Sequence, residues 1–236
     1  MNRNSRAVRL VAAVAGAWLL CSASASAALI RSYDFDGDLT DSLGNGADMV
    51  ASGGSLATAG RYSFDANQGL RLTGAFSDPA TYAIEIKFQF TTNAPFWKKI
   101  VDYQDLAADA GVYVRSSSLT FAGSGTHIGP NGVPANTEFV AVITRDGDTG
   151  LVSGYVDDVL QWSFADGGSV AVAGGNILNF FVDDNGGAEA VAGSVDYIRI
   201  YDRADLTVAD VPEPAALAVL GFGLAALGFA RRRRGA

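Results

Sequence analysis

The chain has 236 residues, with 17 Lys+Arg against 25 Asp+Glu, one histidine, one cysteine and a formal net charge of −8. That inventory excludes a nucleic-acid binder, whose affinity would draw on clustered Lys and Arg, and leaves too few Cys and His for a zinc site. The acidity is mostly aspartate, because Glu occurs only at 85, 138, 189 and 213; Asp suits turns and short oxygen-ligand loops.

At the N-terminus, Arg3, Arg6 and Arg9 precede an apolar run from Leu10 to Leu20, and Ala23-Ser24-Ala25-Ser26-Ala27-Ala28 follows. A basic start, an apolar stretch and an A-x-A site predict a secretory signal peptide over 1–28, cut after Ala25 or Ala27. Cys21 follows Leu19-Leu20 and lacks the small preceding residue of a lipoprotein signal, so lipidation is the lesser alternative. Cleavage removes the only thiol. The exported body must then be held by its core without a disulfide, although export permits one. Seven of the arginines and Glu213 lie in the two terminal segments, which leaves 10 basic and 24 acidic residues between Leu29 and Asp210, a net of −14. Such a body repels anionic surfaces and attracts divalent cations.

Between the termini the pattern is that of strands. In Tyr82 to Phe90, Tyr, Ile, Ile, Phe and Phe alternate with Ala, Glu, Lys and Gln, which predicts a half-buried strand. Similar runs lie at 30–35, 70–73, 99–103, 111–115, 118–121, 139–144, 154–156, 159–164, 177–182 and 195–201. Turn-forming pieces such as Asp36-Gly37-Asp38, Asp166-Gly167-Gly168 and Asp184-Asn185-Gly186-Gly187 separate them. Many strands with no helix of comparable signal predict an all-β antiparallel β-sandwich or jelly roll over 29–206. Two hairpins are local: one through Asp146-Gly147-Asp148-Thr149-Gly150, one turning at Asp157-Asp158.

The candidate functional groups are few. Asp34, Asp36, Asp38 and Asp41 crowd the first loop, and a spacing of two along an extended strand puts carboxylates on one side. The bidentate Glu of an EF-hand is missing, so that motif is excluded; turn capping and cation binding both remain open for this loop, and Asp183-Asp184-Asn185 forms a second acidic group. Glu85 is the only acid in its strand and shares a face with Lys87, which predicts a surface pair. His127 is expected in an exposed loop, Gly123 to Pro130, without a nucleophile-elbow pattern. Glycoside hydrolysis needs two carboxylates about 5 to 10 Å apart, and no strand carries such a pair in its sequence. These readings point to a non-enzyme. Phe96 and Trp97, after Asn93-Ala94-Pro95 and before Lys98-Lys99, are expected in a loop, where exposed rings stack on sugars. Tyr103 and Tyr113 are candidates to join them, and acidic polysaccharide is the ligand this contact suggests.

The order of these pieces resembles a laminin G-like, concanavalin A-like domain. Tyr33 to Asn45 looks like its first strand and loop, Ser63-Phe64-Asp65 to Leu72 like its second element, and Tyr82 to Phe90 like its long core strand. Phe139 to Arg145 with Gly154 to Asp157 is similar to its central hairpin, and Gly193 to Arg203 to its closing strand. Asp158 departs from the glycine usual in that hairpin, which implies a wider turn. The resemblance implies one Ca²⁺ at a loop rim with first and last strands adjacent, so that Asp34, Asp36, Asp41 and Asp196 become the candidate ligands. The same fold hosts lectins, adhesion modules, glycosidases and lyases, so it does not fix function.

The chain closes on Val211-Pro212-Glu213-Pro214, an uncharged stretch 215–230 and the cluster Arg231, Arg232, Arg233 and Arg234 in a basic tail 231–236. The 207–214 segment reads as a linker. Sixteen apolar residues reach about 24 Å as a helix, short of a hydrocarbon core of about 30 Å, with arginines that stay in the cytoplasm. The triplet, the apolar helix and the arginine cluster resemble the PEP-CTERM sorting signal of bacteria that make exopolysaccharide. The resemblance implies transient anchoring in the inner membrane, cleavage by an exosortase-type protease near Pro212, Glu213 and Pro214, and release to the cell surface or extracellular matrix. Together the readings describe an exported, non-catalytic module for polysaccharide or a surface protein. A purely structural matrix component is the alternative, and a glycosidase or polysaccharide lyase a remoter one.

Overall fold

The computed structural model describes residues 27–206, apart from Ala59, Pro95, Asn185 and the side chain of Asn131. The expected signal peptide to residue 26, the whole linker 207–214 with Pro212, Glu213 and Pro214, the apolar helix, and the basic tail with Arg231, Arg232, Arg233 and Arg234 lie outside the described residues. Among the described residues no helix is long and apolar enough to cross a membrane.

Two antiparallel sheets face each other, as the alternating runs predict. The strands are β1 (Leu29–Tyr33), β2 (Val50–Ala51), β3 (Ser55–Thr58), β4 (Arg61–Phe64), β5 (Leu70–Thr73), β6 (Tyr82–Phe90), β7 (Trp97–Asp102), β8 (Gly111–Arg115), β9 (Ser118–Ala122), β10 (Thr126–Gly132), β11 (Phe139–Asp146), β12 (Leu151–Val156), β13 (Val159–Ala165), β14 (Ile177–Phe180) and β15 (Gly193–Tyr201). One sheet runs β13-β12-β11-β6-β15-β4-β3, the other β10-β9-β8-β7-β14-β5-β2. β15 pairs along one edge with β6 and shares its other edge between β4, at residues 193–195, and β1, at residues 198–201. The first strand therefore does lie beside the last.

The core is the set of alternate residues that the two sheets turn inward. Ile84, Ile86 and Phe88 of β6 meet Val112, Val114, Leu119 and Phe121 of the opposite sheet, all fully buried in one cluster. At ~25 cal/mol per Å² of apolar area removed from water, such rings and branched chains supply the main folding drive. In β15 the register shifts between Val195 and Tyr197, so Asp196 is the extra residue of a bulge. Val195, Ile198 and Ile200 keep to the core, while Asp196, Tyr197 and Arg199 stand on the outer face.

Three expectations are corrected. The hairpin at Asp157-Asp158 is not wide: Val156 pairs directly with Val159, and both aspartates take left-handed φ, +46° and +65°, as a two-residue turn requires. His127 is not in a loop but in β10, paired with Phe121 of β9; its ring stacks at 4.0 Å on Phe164 and contacts the Ser124 carbonyl at 2.9 Å. The run Gly123 to Pro130 masked a strand because its glycines and polar residues carry no apolar alternation. Phe96 precedes β7 and Trp97 opens it, so Trp97 is a strand residue with a fixed cross-strand partner rather than a loop tip.

Candidate functional site

The outer face of the β7–β8 pair gathers the chemistry. Trp97 is register partner of Arg115, and Lys99 of Tyr113. The spacing of two along each strand sends these four side chains to the same side, away from Val112 and Val114. The Arg115 guanidinium carbon lies 4.7 Å from the Phe96 ring centre and 5.2 Å from that of Trp97. Phe96 meets Trp97 edge to face at 6.1 Å, and Trp97 meets Tyr113 the same way at 5.3 Å. The Ser116 N–H donates to the Phe96 carbonyl at 2.6 Å, which ties the entry of β7 to the exit of β8. Phe96 is 52% exposed and Trp97 half-buried. The result is an aromatic ledge carrying one cation.

Beside it the loop after β14 folds back over the sheet. The Phe181 N–H donates to Ile100 and the Lys99 N–H to Glu189, both backbone to backbone. This cover buries Lys99 to 1% exposure, with its Nζ 3.5 Å from Asp102, 3.4 Å from Asp184 and 3.7 Å from Asp109, and bonded to the Tyr113 hydroxyl. Tyr113 in turn donates to Asp109 at 2.5 Å. Asp183 caps the loop, its Oδ2 accepting from the Gly187 and Glu189 N–H groups at 3.1 Å each. Several carboxylates crowd one ammonium. Glu189, desolvated by burial and facing Asp109 and Asp183, has its carboxyl pushed up to about 7. Burial and the hydrogen bond to Asp109 push the Tyr113 hydroxyl well above its ordinary range.

Of the predicted contact residues, Phe96 and Trp97 stand together on the surface, but Tyr103 does not join them. It is fully buried past the opposite end of β7, its ring 6.0 Å from Tyr82 and 6.3 Å from Phe121 in the core. The bulge between Lys99 and Val101 shifts the alternation that would have kept it outside.

The predicted calcium ligands are not gathered into one set. Among the described residues no group of three or more His, Cys, Asp or Glu could hold a metal ion. β1 ends at Tyr33 and Phe35 takes φ +54°, so the strand alternation that was to align Asp34 with Asp36 stops there. Asp34 accepts from Ser32 and Ser42 hydroxyls, and Asp41 from the backbone N–H groups of Ser32, Leu43 and Asn45, so both work as turn caps. Asp36 has its carboxylate beside Gly60. Asp196 is held by Arg61 and, at 2.7 Å, by Lys87, which also reaches Glu138 at 3.0 Å.

Glu85, predicted to pair with Lys87, instead accepts from Tyr197 at 2.6 Å and Tyr201 at 2.8 Å, with Arg199 at 3.7 Å. Sequence reasoning missed Arg115, Asp109 and Glu189. Arg115 was legible in principle, two residues from Tyr113 in an alternating strand; the other two sit in loops whose docking no periodicity reports. A separate cleft of about 500 Å³ beside β3 and β4, lined by Gly53, Gly54, Ser63 and Gln68, has Phe64 as its aromatic, and that ring is buried.

Residues 210–234 match the model of the PEP-CTERM protein-sorting motif. The chain carries a PEP-CTERM sorting signal. The three parts read from the sequence all fall within the match: Pro212-Glu213-Pro214, the apolar stretch, and the cluster Arg231, Arg232, Arg233 and Arg234. No curated protein matches the chain in sequence. Among solved structures it is similar to domain 4 of AbnA, a GH43 extracellular arabinanase from Geobacillus stearothermophilus, in complex with arabinotriose. The identity is 19%, over 76% of this chain and 95% of that one, with a TM-score of 0.58. It is also similar to the botulinum neurotoxin serotype D binding domain, at 13% identity and a TM-score of 0.57, covering 75% of this chain and 48% of that one. The serotype D ligand binding domain in complex with N-acetylneuraminic acid gives 14% identity and the same TM-score of 0.57. The chain thus spans about half the length of the neurotoxin domains. At these identities the likeness establishes the jelly-roll-like β-sandwich of this PEP-CTERM chain and leaves its ligand to the site.

Proposed function

We propose that the chain is an exported, non-catalytic surface or extracellular-matrix protein whose β-sandwich binds polysaccharide, delivered through its PEP-CTERM signal and cut by an exosortase-type protease. The observation that carries the reading is the ledge of Phe96, Trp97 and Arg115. Aromatic rings placed at a surface, Trp97 by strand register and Phe96 by the Ser116 hydrogen bond to its carbonyl, offer a stacking face to a pyranose at little entropic cost. Like folds that carry arabinotriose and N-acetylneuraminic acid support a saccharide as ligand. The non-catalytic part is supported by how the strand acids are used: Glu85 is occupied by two tyrosines, and Asp196 by Arg61 and Lys87.

The test is retention of the full chain, purified in detergent, on an exopolysaccharide array, with Trp97→Ala beside it. Retention lost in the variant supports the reading. No retention of either protein on any polysaccharide sinks it in favour of a purely structural component. Release of reducing ends would overturn the non-catalytic part, and Glu189, the acid held near 7, would then be the first to substitute.

A further inference from the structure

Resting on that saccharide reading, we infer that the ledge is built for an acidic sugar, with the Arg115 guanidinium taking the carboxylate of a hexuronate residue while Phe96 and Trp97 flank its ring. Arg61, Arg71, Lys87, Lys99, Arg145 and Arg199 each stand within 4 Å of a carboxylate. Arg31 and Lys98 donate to backbone carbonyls instead, and Arg203 is exposed. Arg115 pairs with no carboxylate among the described residues, and its Nε is buried without a hydrogen-bond partner. In a body of 24 acidic residues against 10 basic ones, a half-buried guanidinium left without an anion or a carbonyl stands out. Its guanidinium lies against the two rings, which satisfy none of its five donors.

A neutral sugar has hydroxyls to offer and no use for a net positive charge. A planar carboxylate on the pyranose ring matches the planar guanidinium fork and accepts two parallel hydrogen bonds from it. Cross-strand pairing with Trp97 holds the fork in place before the ligand arrives, so little rotamer freedom is lost on binding. The surrounding negative charge works against any polyanion at a distance, which confines recognition to this contact and disfavours acidic polymers that cannot present a carboxylate to it. At ~0.15 M salt that repulsion is screened beyond about 8 Å while the contact pair survives.

The experiment measures binding of the full chain in detergent, at ~0.15 M salt, to polygalacturonate, to the same polymer with its carboxylates methyl-esterified, and to dextran sulfate. Wild-type protein is expected to bind polygalacturonate at least about tenfold more tightly than the ester. Arg115→Gln should remove that preference by lowering affinity for polygalacturonate to about that for the ester, and Arg115→Lys, which keeps the charge without the fork, should recover only part of it. Equal binding of acid and ester by the wild type, or a preference that survives Arg115→Gln, overturns the uronate assignment while leaving the saccharide reading intact. So does tighter binding of dextran sulfate than of polygalacturonate. Binding of none of the polymers here, together with none on the array, removes both. Unchanged thermal unfolding of the two Arg115 variants separates lost recognition from lost fold.

Discussion

Arg145 and Asp166 form an ion pair inside the sandwich, Nε to Oδ2 at 3.2 Å, with side chains 6% and 0% exposed. Asp166 also accepts from the Val170 and Ala171 N–H groups, and Arg145 donates to the Ala80 carbonyl at 2.6 Å. The pair therefore anchors two loops to β11 and the end of β13. Replacing a buried pair with apolar groups is often neutral, but removing one partner leaves an uncompensated charge in the interior. Asp166→Ala is expected to cost about 3 to 5 kcal/mol, read as a lower urea midpoint at unchanged slope. A loss below about 1 kcal/mol would mean that water reaches Arg145.

Gly154 and Trp162 are partners across β12 and β13, and a Cβ at 154 would overlap the indole ring. The indole cannot step aside: its Nε1 donates to the Leu119 carbonyl of the opposite sheet at 3.2 Å, and it packs on Phe121 and Phe164. Gly154→Ala should destabilise by about 1 to 3 kcal/mol, the range for an overpacked core. It should also red-shift tryptophan emission as the ring is pushed toward water. Unchanged emission and midpoint would show that the sheets slide apart to admit the methyl.

Much of the fold was legible because most strands alternate. β6, β8, β11 and β13 were readable from residues such as Ile84, Val112, Ile143 and Phe164, whose spacing of two has one physical cause, a buried face. β2, β3 and β10 were not, since Val50 and Ser55 are exposed edge residues and Gly129 and Pro130 break the pattern of β10. For the site, sequence reached Phe96 and Trp97 as aromatics outside the alternating pattern. It could not reach the pairing that gives them Arg115, because register is set by the turn between β7 and β8 and by the bulge at Lys99. The burial of Lys99 under Asp184 and Glu189 depends on a loop more than 80 residues downstream, beyond any local signal.

The turn at Asp157-Asp158 divides its work unequally. Asp157 donates its N–H to the Val140 carbonyl and accepts the Val140 N–H on its side chain, each at 2.9 Å. Asp158, at φ +65°, makes no side-chain hydrogen bond among the described residues, so nothing there offsets the cost of its left-handed backbone. Asp-Gly is the pair such a two-residue turn favours. Asp158→Gly should therefore stabilise by about 0.5 kcal/mol, the steric relief being partly offset by the freer unfolded chain. Asp157→Gly should destabilise by about 1 kcal/mol through the lost hydrogen bond. Urea midpoints in the reverse order would contradict this division.

Glu189 should make stability fall as pH rises toward neutrality. Its carboxyl titrates near 4.5 when free and near 7 in the fold, because burial and the neighbouring Asp109 and Asp183 oppose its ionisation more than Lys99 favours it. Between those values the folded chain holds a proton that the unfolded chain has released, so each step up in pH draws the equilibrium toward unfolding. The contribution is fully present below about pH 4.5 and gone above about pH 7. Asp105, Glu138 and Asp146, held below their usual range mainly by hydrogen bonds to Arg71, Arg61 and Thr149 respectively, act in the opposite direction and lose their contribution in acid. The two effects oppose each other, so stability falls both in strong acid and, through Glu189, as neutrality is approached. Glu189→Gln keeps the shape and removes the titration, so the variant should melt higher than the wild type at about pH 7.5 and level with it at about pH 4. Parallel melting curves at both pH values would show that Glu189 is ionised in the fold, with Lys99 rather than a proton balancing its charge.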